Sequence, residues 1–282
     1  MKISVLINNY NNGRWLRACV DSVLNQTRLP DEVIVYDDGS TDDSLPVLRS
    51  YGDRIKVIEG VHGSGRTPLQ YQANAIHRAF LACSGDHVYL LDGDDCFLPD
   101  KISRYEEAWA LAPEATLVQA SVQLIDVQGA VIRSGYQERK HPRDSDYRAA
   151  TYQWQDPDLY YPTSALAFSR DFLSKMLPVD FSDKLELAAD IRLAMLAPFY
   201  GPVRALPEGL TSWRQRGNSM SRESGQRTLY LNTLKRCRYF NNYANKAGVR
   251  PIRLWLNARF YRQWARRFLP DWVSRPFVRM GA

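Results

Sequence analysis

The chain has 282 residues, 45% of them hydrophobic, with a formal net charge of +6. That is enough to bury a sizeable core in one large α/β domain, or in a domain with an appendage. No apolar run approaches the roughly 18 residues of a spanning helix. The run Met1 to Ile7 is too short for a signal peptide, and the four cysteines lack paired spacing, which predicts reduced thiols in a cytosolic protein.

The first hundred residues alternate regularly. Ile3 to Ile7 reads as a buried strand, followed by the turn-rich Asn8-Asn9-Tyr10-Asn11-Asn12-Gly13. Leu16, Cys19, Val20, Val23 and Leu24 have helical spacing. Glu32 to Tyr36 is a second strand, ending in Asp37-Asp38-Gly39-Ser40-Thr41-Asp42 and a short helix to Ser50. Ile55 to Ile58 is a third, followed by the Gly-rich His62-Gly63-Ser64-Gly65-Arg66. A helix from about Leu69 to Cys83 comes next, with Gly85 as its C-cap. His87 to Leu91 is a fourth strand, and Pro99 starts another helix.

This βαβαβαβ order predicts a mostly parallel sheet with helices on both faces. In such sheets ligands sit at the carboxyl ends of the strands. All four strand ends carry polar loops, which predicts one cleft. The fourth ends in Asp92-Gly93-Asp94-Asp95. Three carboxylates within four residues repel one another, and a divalent cation with a bound diphosphate would offset that. The alternative is a solvated acidic turn. His62 is either within reach of a phosphate or a surface-loop residue.

These stretches resemble the inverting family 2 glycosyltransferases of GT-A fold. The matching residues are Ser4 to Asn11, Ser22 to Thr27, Val33 to Asp42, and Ser84-Gly85-Asp86 leading into Leu91 to Asp95 and Pro99-Asp100. The pairing of DDGSTD with an aspartate-rich motif about 50 residues on is specific, and either alone is weak. The resemblance implies an α/β GT-A fold with a mixed, mostly parallel sheet flanked by helices. It implies that Tyr10 packs on the nucleotide base and that Asp38 hydrogen-bonds it. It places Asp94 near ribose or metal, and Asp95 on a Mn²⁺ or Mg²⁺ ion bridging the diphosphate, with Asp92 as helper. Gln72 matches a glutamine common in the family. Asn8 stands where Pro is usual, and is expected to hydrogen-bond the base instead.

In the second half, Ala115 to Ile125 reads as a strand. Gln137 to Asp158 reads as a long loop over the acceptor side, where Tyr152, Trp154, Tyr160 and Tyr161 either stack on sugar or simply pack. Ser164 to Phe168 is a strand. Leu185 to Ala194 has helical spacing, with Asp190 beside Leu187 and Ile191. The resemblance makes Asp190 the general base of an inverting transfer, although Ala189 replaces the glutamate that frequently precedes it. It also implies that Leu210 to Ser221 is a lid over the nucleotide, with Arg214 on the diphosphate. Arg216 stands in place of a histidine, able to clamp phosphate but not to ligate metal.

Between Arg227 and Ala282 lie thirteen Lys or Arg and one acid, Asp271, so the rest of the chain is net acidic. Residues 227–282 are therefore expected to form a basic helical extension of a catalytic domain spanning 1–226. Ile252, Leu256, Phe260, Trp264 and Phe268 recur every four residues, an apolar stripe among arginines. Such a helix suits an anionic membrane surface or the flank of the catalytic domain. No recognition motif accompanies the charge, so nucleic acid is not expected. The whole reads as a cytoplasmic-side enzyme, peripheral at the inner face of the membrane if the tail binds there. It would move a sugar from a nucleotide donor, expected to be UDP-linked, to a saccharide or lipid-linked acceptor. The alternatives are a sugar-1-phosphate nucleotidyltransferase, against which the loop after the first strand lacks a Gly-rich phosphate motif, and a nucleotide-sugar-binding module without turnover.

Overall fold

The computed structural model describes residues 1–136, 146–153, 159–216 and 226–253. Nine strands form among the described residues, and the first, second and fourth of them are continuous apolar runs buried on both faces. The nine are β1 (Ile3–Asn9), β2 (Glu32–Asp37), β3 (Lys56–Glu59) and β4 (His87–Asp92), followed by β5 (Cys96–Phe97), β6 (Leu117–Ile125), β7 (Val131–Tyr136), β8 (Leu166–Ser169) and β9 (Val203–Arg214). The sheet runs β3-β2-β1-β4-β8-β6-β9-β5, with β7 on β6. The expectation of a mostly parallel sheet holds from β3 to β4 and fails beyond. β8 is antiparallel to both β4 and β6, β5 is antiparallel to β9, and only β9 on β6 is parallel again. The sheet is mixed and flanked by helices, an α/β architecture broadly of GT-A type.

Alternation along the strands sends side chains to two cores. Leu6, Ile34, Val88 and Leu90 face α3 (Pro68–Ala82) and α8 (Gln226–Ala247), which buries Cys237, Phe240 and Ala244 there. Val5, Ile7, Val35, Tyr89 and Leu91 face α1 (Gly13–Leu24) and α4 (Lys101–Leu111). The remaining helices are α2 (Ser44–Arg49), α5 (Tyr147–Gln153), α6 (Arg170–Met176) and α7 (Ala189–Leu196).

Several local expectations are corrected. Gly85 is not a C-cap; Cys83 caps α3, and a Cβ on Gly85 would fall 2.4 Å from Ser4 Oγ. Within the expected loop 137–158, Tyr147–Gln153 is helical and Tyr152 packs on Phe199 and Phe240. Tyr160 and Tyr161 are core residues rather than sugar platforms. Leu185 to Ala188 is not helical, because the buried Arg192 guanidinium draws in the carbonyls of Leu185 (2.7 Å) and Leu187 (3.0 Å) and the Asp183 carboxylate. Leu210 to Arg214 closes strand β9 rather than belonging to a lid. Trp154, the lid from Gly217 onward and the stripe from Leu256 onward lie outside the described residues. Among the described residues no helix is long and apolar enough to cross a membrane.

Candidate active site

The parallel register aligns Asn9 with Asp37 and Asn8 with Asp92, so the ends of β1, β2 and β4 lie side by side. Asp37 is wholly buried and builds the turn after β2. Its carboxylate accepts from Asn9 Nδ2 (2.7 Å), Ser40 N (2.8 Å) and Ser40 Oγ (2.7 Å). Asp38 points the other way, and His62 Nδ1 lies 2.7 Å from its Oδ2. The His62 ring is stacked between Tyr10 (3.9 Å between centroids) and Tyr71 (4.0 Å). Burial raises the Asp38 pKa, against the pull of His62 and Arg66.

The acidic motif packs directly behind. A Cβ on Gly93 would lie 2.6 Å from Asn9 Oδ1, which is why this turn admits only glycine there. Asp92 Oδ1 accepts from Asn8 Nδ2 (2.6 Å) and Gln72 Nε2 (3.0 Å). Asp94 Oδ2 lies 2.6 Å from an Arg216 guanidinium nitrogen. Asp95 Oδ1 accepts from the Arg214 backbone N–H (2.8 Å), and its Oδ2 from Ser164 Oγ (2.5 Å). Arg214 is itself buried, its guanidinium donating to the carbonyls of Asp94 (2.7 Å) and Asp126 (2.8 Å). Both arginines lie over Trp15, at 5.6 and 5.0 Å from its ring centroid. Burial, then repulsion from Asp94, pushes Asp92 up to about 7; burial, then Asp94 and Asp92, pushes Asp95 well above the carboxylate range. Asp94 is also raised by burial, with Arg216 opposing.

Asp190 sits in the first turn of α7, half-buried. Its Oδ1 accepts from Ile191 N (2.7 Å), and its Oδ2 from Thr163 Oγ1 (3.0 Å). Thr163 Oγ1 in turn accepts from Gln72 Nε2 (3.3 Å), the same nitrogen that donates to Asp92. A continuous polar chain thus runs Asn8–Asp92–Gln72–Thr163–Asp190. Burial raises the Asp190 pKa, while Ile191 N–H, the Thr163 hydroxyl and the Arg236 cation on α8 lower it.

Asp94 and Asp95 offer the hard oxygen donors that Mg²⁺ or Mn²⁺ takes. Among the described residues no three His, Cys, Asp or Glu side chains converge as a ligand group. A cation here would take one or two carboxylates from the protein and complete its shell with diphosphate and water, a common arrangement for Mg²⁺.

The structure therefore gathers Asn8, Gln72, Asp92, Asp94, Asp95, Asp190, Arg214 and Arg216 into one contiguous region, with Tyr10 and Asp38 at the neighbouring strand ends. Sequence reasoning passed over Thr163, Ser164, Lys101 and Arg236, and read His62 only as a phosphate or surface residue. Lys101 is fully buried, its Nζ donating to the Ser164 carbonyl and to Thr211 Oγ1 (2.9 Å). Burial lowers its pKa, against the attraction of Asp95. A lysine two residues after a proline carries no sequence signal of burial.

Residues 4–177 match glycosyl transferase family 2. An uncharacterized glycosyltransferase of Nostoc sp. is 32% identical over 257 residues, covering 89% of this chain and 76% of the relative. A chondroitin synthase of Escherichia coli is 31% identical over 138 residues, 48% of this chain and 19% of that protein. Among solved structures, S. aureus TarS in complex with UDP-GlcNAc superposes with a TM-score of 0.61 at 16% identity, covering 98% of this chain and 78% of that one. The mannosyltransferase PcManGT from Pyrobaculum calidifontis, in complex with GDP-Man and Mn²⁺, gives 0.56 at 16% identity, covering 98% and 72%.

Proposed function

Because the chain belongs to glycosyl transferase family 2 and is a nucleotide-sugar-dependent glycosyltransferase, we propose that it inverts the anomeric centre of a UDP-linked sugar. The acceptor would be a saccharide or lipid-linked hydroxyl, in synthesis of a cell-surface polysaccharide or glycoconjugate. One observation carries this reading: the polar chain that ties Asp190 to Asp92. A carboxylate whose pKa is raised by burial stands at one end, and the acidic diphosphate platform at the other.

In the reaction the acceptor oxygen attacks the anomeric carbon while its proton passes to Asp190, and the bond from that carbon to the diphosphate oxygen breaks. Asp38 takes a base N–H, with Tyr10 beside the base, and Arg216 faces the departing diphosphate. Asp94 and Asp95 are the residues that would hold a divalent cation, which neutralises charge on the leaving group when bound. The basic, aromatic stretch after α8 would bring the enzyme to an anionic membrane carrying its acceptor, while α8 itself packs in the catalytic core.

The test is nucleotide release from a panel of UDP- and GDP-sugars, with and without oligosaccharide acceptors, by wild type and Asp190→Asn. Loss of about 100-fold or more in kcat, with nucleotide binding retained, is expected. Undiminished turnover in the Asn variant rules Asp190 out as the base.

A further inference from the structure

We propose that Thr163 and Ser164 act together as the positioning device of the active site, fixing the general base and the donor platform at one separation. The inference rests on the reading of Asp190 as base and Asp95 as donor-side acid, and adds two residues to it.

The two residues are adjacent in a 3-10 turn, Thr163–Ala165, that leads straight into β8. Both are buried, Thr163 at 3% and Ser164 at 0% exposure, so neither hydroxyl serves surface hydration. Each hydroxyl holds a different carboxylate: Thr163 Oγ1 donates to Asp190 Oδ2 (3.0 Å), and Ser164 Oγ to Asp95 Oδ2 (2.5 Å).

Each hydroxyl also receives an N–H, which leaves its own proton for the carboxylate when that carboxylate is ionised. Thr163 Oγ1 receives Gln72 Nε2 (3.3 Å), and an amide nitrogen only donates, so the single Thr163 proton faces Asp190. Ser164 Oγ receives the Asp92 backbone N–H (3.0 Å), so its proton faces Asp95. An ionised carboxylate is acceptor-only, so the Thr163 bond supports the form of Asp190 able to take a proton. The Ser164 carbonyl is itself held by Lys101 Nζ and by Thr211 Oγ1 (3.2 Å). β8 pairs with both β4 and β6, so the turn cannot shift without the sheet. Base and donor platform, carried on α7 and at the end of β4, are thus referenced to one dipeptide in the middle of the sheet.

The two hydroxyls act on different steps, which separates this role from mere packing. Thr163→Val keeps shape and removes the donor. It should lower kcat about tenfold or more and leave the UDP dissociation constant within about twofold. Thr163→Ser restores the hydroxyl and should restore most of kcat. Thr163→Cys, with a weak donor, should fall between and serves if the Val variant is unstable. Ser164→Ala should raise the UDP dissociation constant and donor KM more than it lowers kcat. In an Asp190→Asn background, Thr163→Val should cost nothing further.

Equal damage to kcat and to UDP binding by both variants, or full additivity of Thr163→Val with Asp190→Asn, overturns the proposal. If Asp190→Asn itself keeps full turnover, the base assignment fails. If that variant is dead and Thr163→Val is silent, only the positioning role fails.

Discussion

His62 Nδ1 approaches the Asp38 carboxylate to 2.7 Å, while its ring fills the space between Tyr10 and Tyr71. Asp38 Oδ1, the other oxygen, is buried and has no hydrogen-bond partner among the described residues. The loop is pinned from two sides, by Gly60 N on the Asp37 carbonyl (2.7 Å) and by Tyr71 Oη on the Gly63 carbonyl. A carboxylate fixed by one oxygen and unsatisfied at the other keeps a single acceptor for an N–H that can reach it.

His62→Ala should therefore weaken nucleotide binding about 5- to 10-fold, the worth of roughly 1 kcal/mol of lost orientation. The effect should appear in donor KM and in calorimetry of UDP, with kcat nearly unchanged. Tighter UDP binding by the variant would show instead that the imidazole occupies the place of the base.

The acid side of the pH–rate profile should report Asp190. The group acts as a base only when ionised, and burial raises its pKa from the ordinary 3.8. The rate should therefore fall, as pH decreases, at a higher pH than an exposed aspartate would give. The Thr163 hydroxyl and the Arg236 cation oppose that rise. Thr163→Val and Arg236→Gln should each move the acid limb further up. A limb that moves down in either variant, in single-turnover measurements from pH 4.5 to 8, refutes the assignment.

How far such features are legible in the sequence depends on how local their cause is. β1, β2 and β4 are continuous apolar runs ended by polar turns, so their hydrophobic pattern alone locates them. β9 reads as ordinary polar sequence because its register comes from β6, some 85 residues away, and that partner leaves no trace in the local pattern. The start of α7 at Ala189 is set by Arg192 gathering the preceding carbonyls, a tertiary effect that overrides apparent helical spacing. The acidic motif and Asp190 are visible as carboxylates near apolar residues. Thr163, Ser164 and Lys101 are visible only once β8 and β9 stand beside β4, because a hydroxyl or a lysine has no sequence mark of burial.

Divalent cations should stabilise the fold through the acidic motif, a readout independent of turnover. Asp94 raises the pKa of Asp92, and Asp94 and Asp92 raise that of Asp95, so the ionised cluster carries repulsion in the folded state. Millimolar Mn²⁺ or Mg²⁺ with UDP should raise the melting temperature by about 2–4 °C, the shift that roughly 1 kcal/mol gives in a chain of this size. Asp95→Asn should abolish the cation-dependent part and leave the effect of UDP alone. A cation-dependent shift of equal size in Asp95→Asn would place the ion elsewhere.

Arg216 should have opposite effects on cation and nucleotide. Its guanidinium lies 2.6 Å from Asp94 Oδ2, bonds Asn12 Oδ1 at 3.1 Å and rests over Trp15. In the free enzyme it neutralises Asp94 and so competes with a cation for that carboxylate. When a diphosphate is present, the same planar donor can turn to its oxygens. Arg216→Ala should therefore tighten Mn²⁺ binding to the nucleotide-free protein, measured by calorimetry, because Asp94 loses its internal partner. It should also raise donor KM about tenfold, since a charge-assisted hydrogen bond to the diphosphate is worth about 1.5–3 kcal/mol. Arg216→Lys keeps the charge but not the bidentate fork, and should fall between. If Arg216→Ala weakens cation and nucleotide together, the arginine is a scaffold for Asp94 rather than its competitor. The leaving group must then be neutralised by the acidic motif and its ion without that cation.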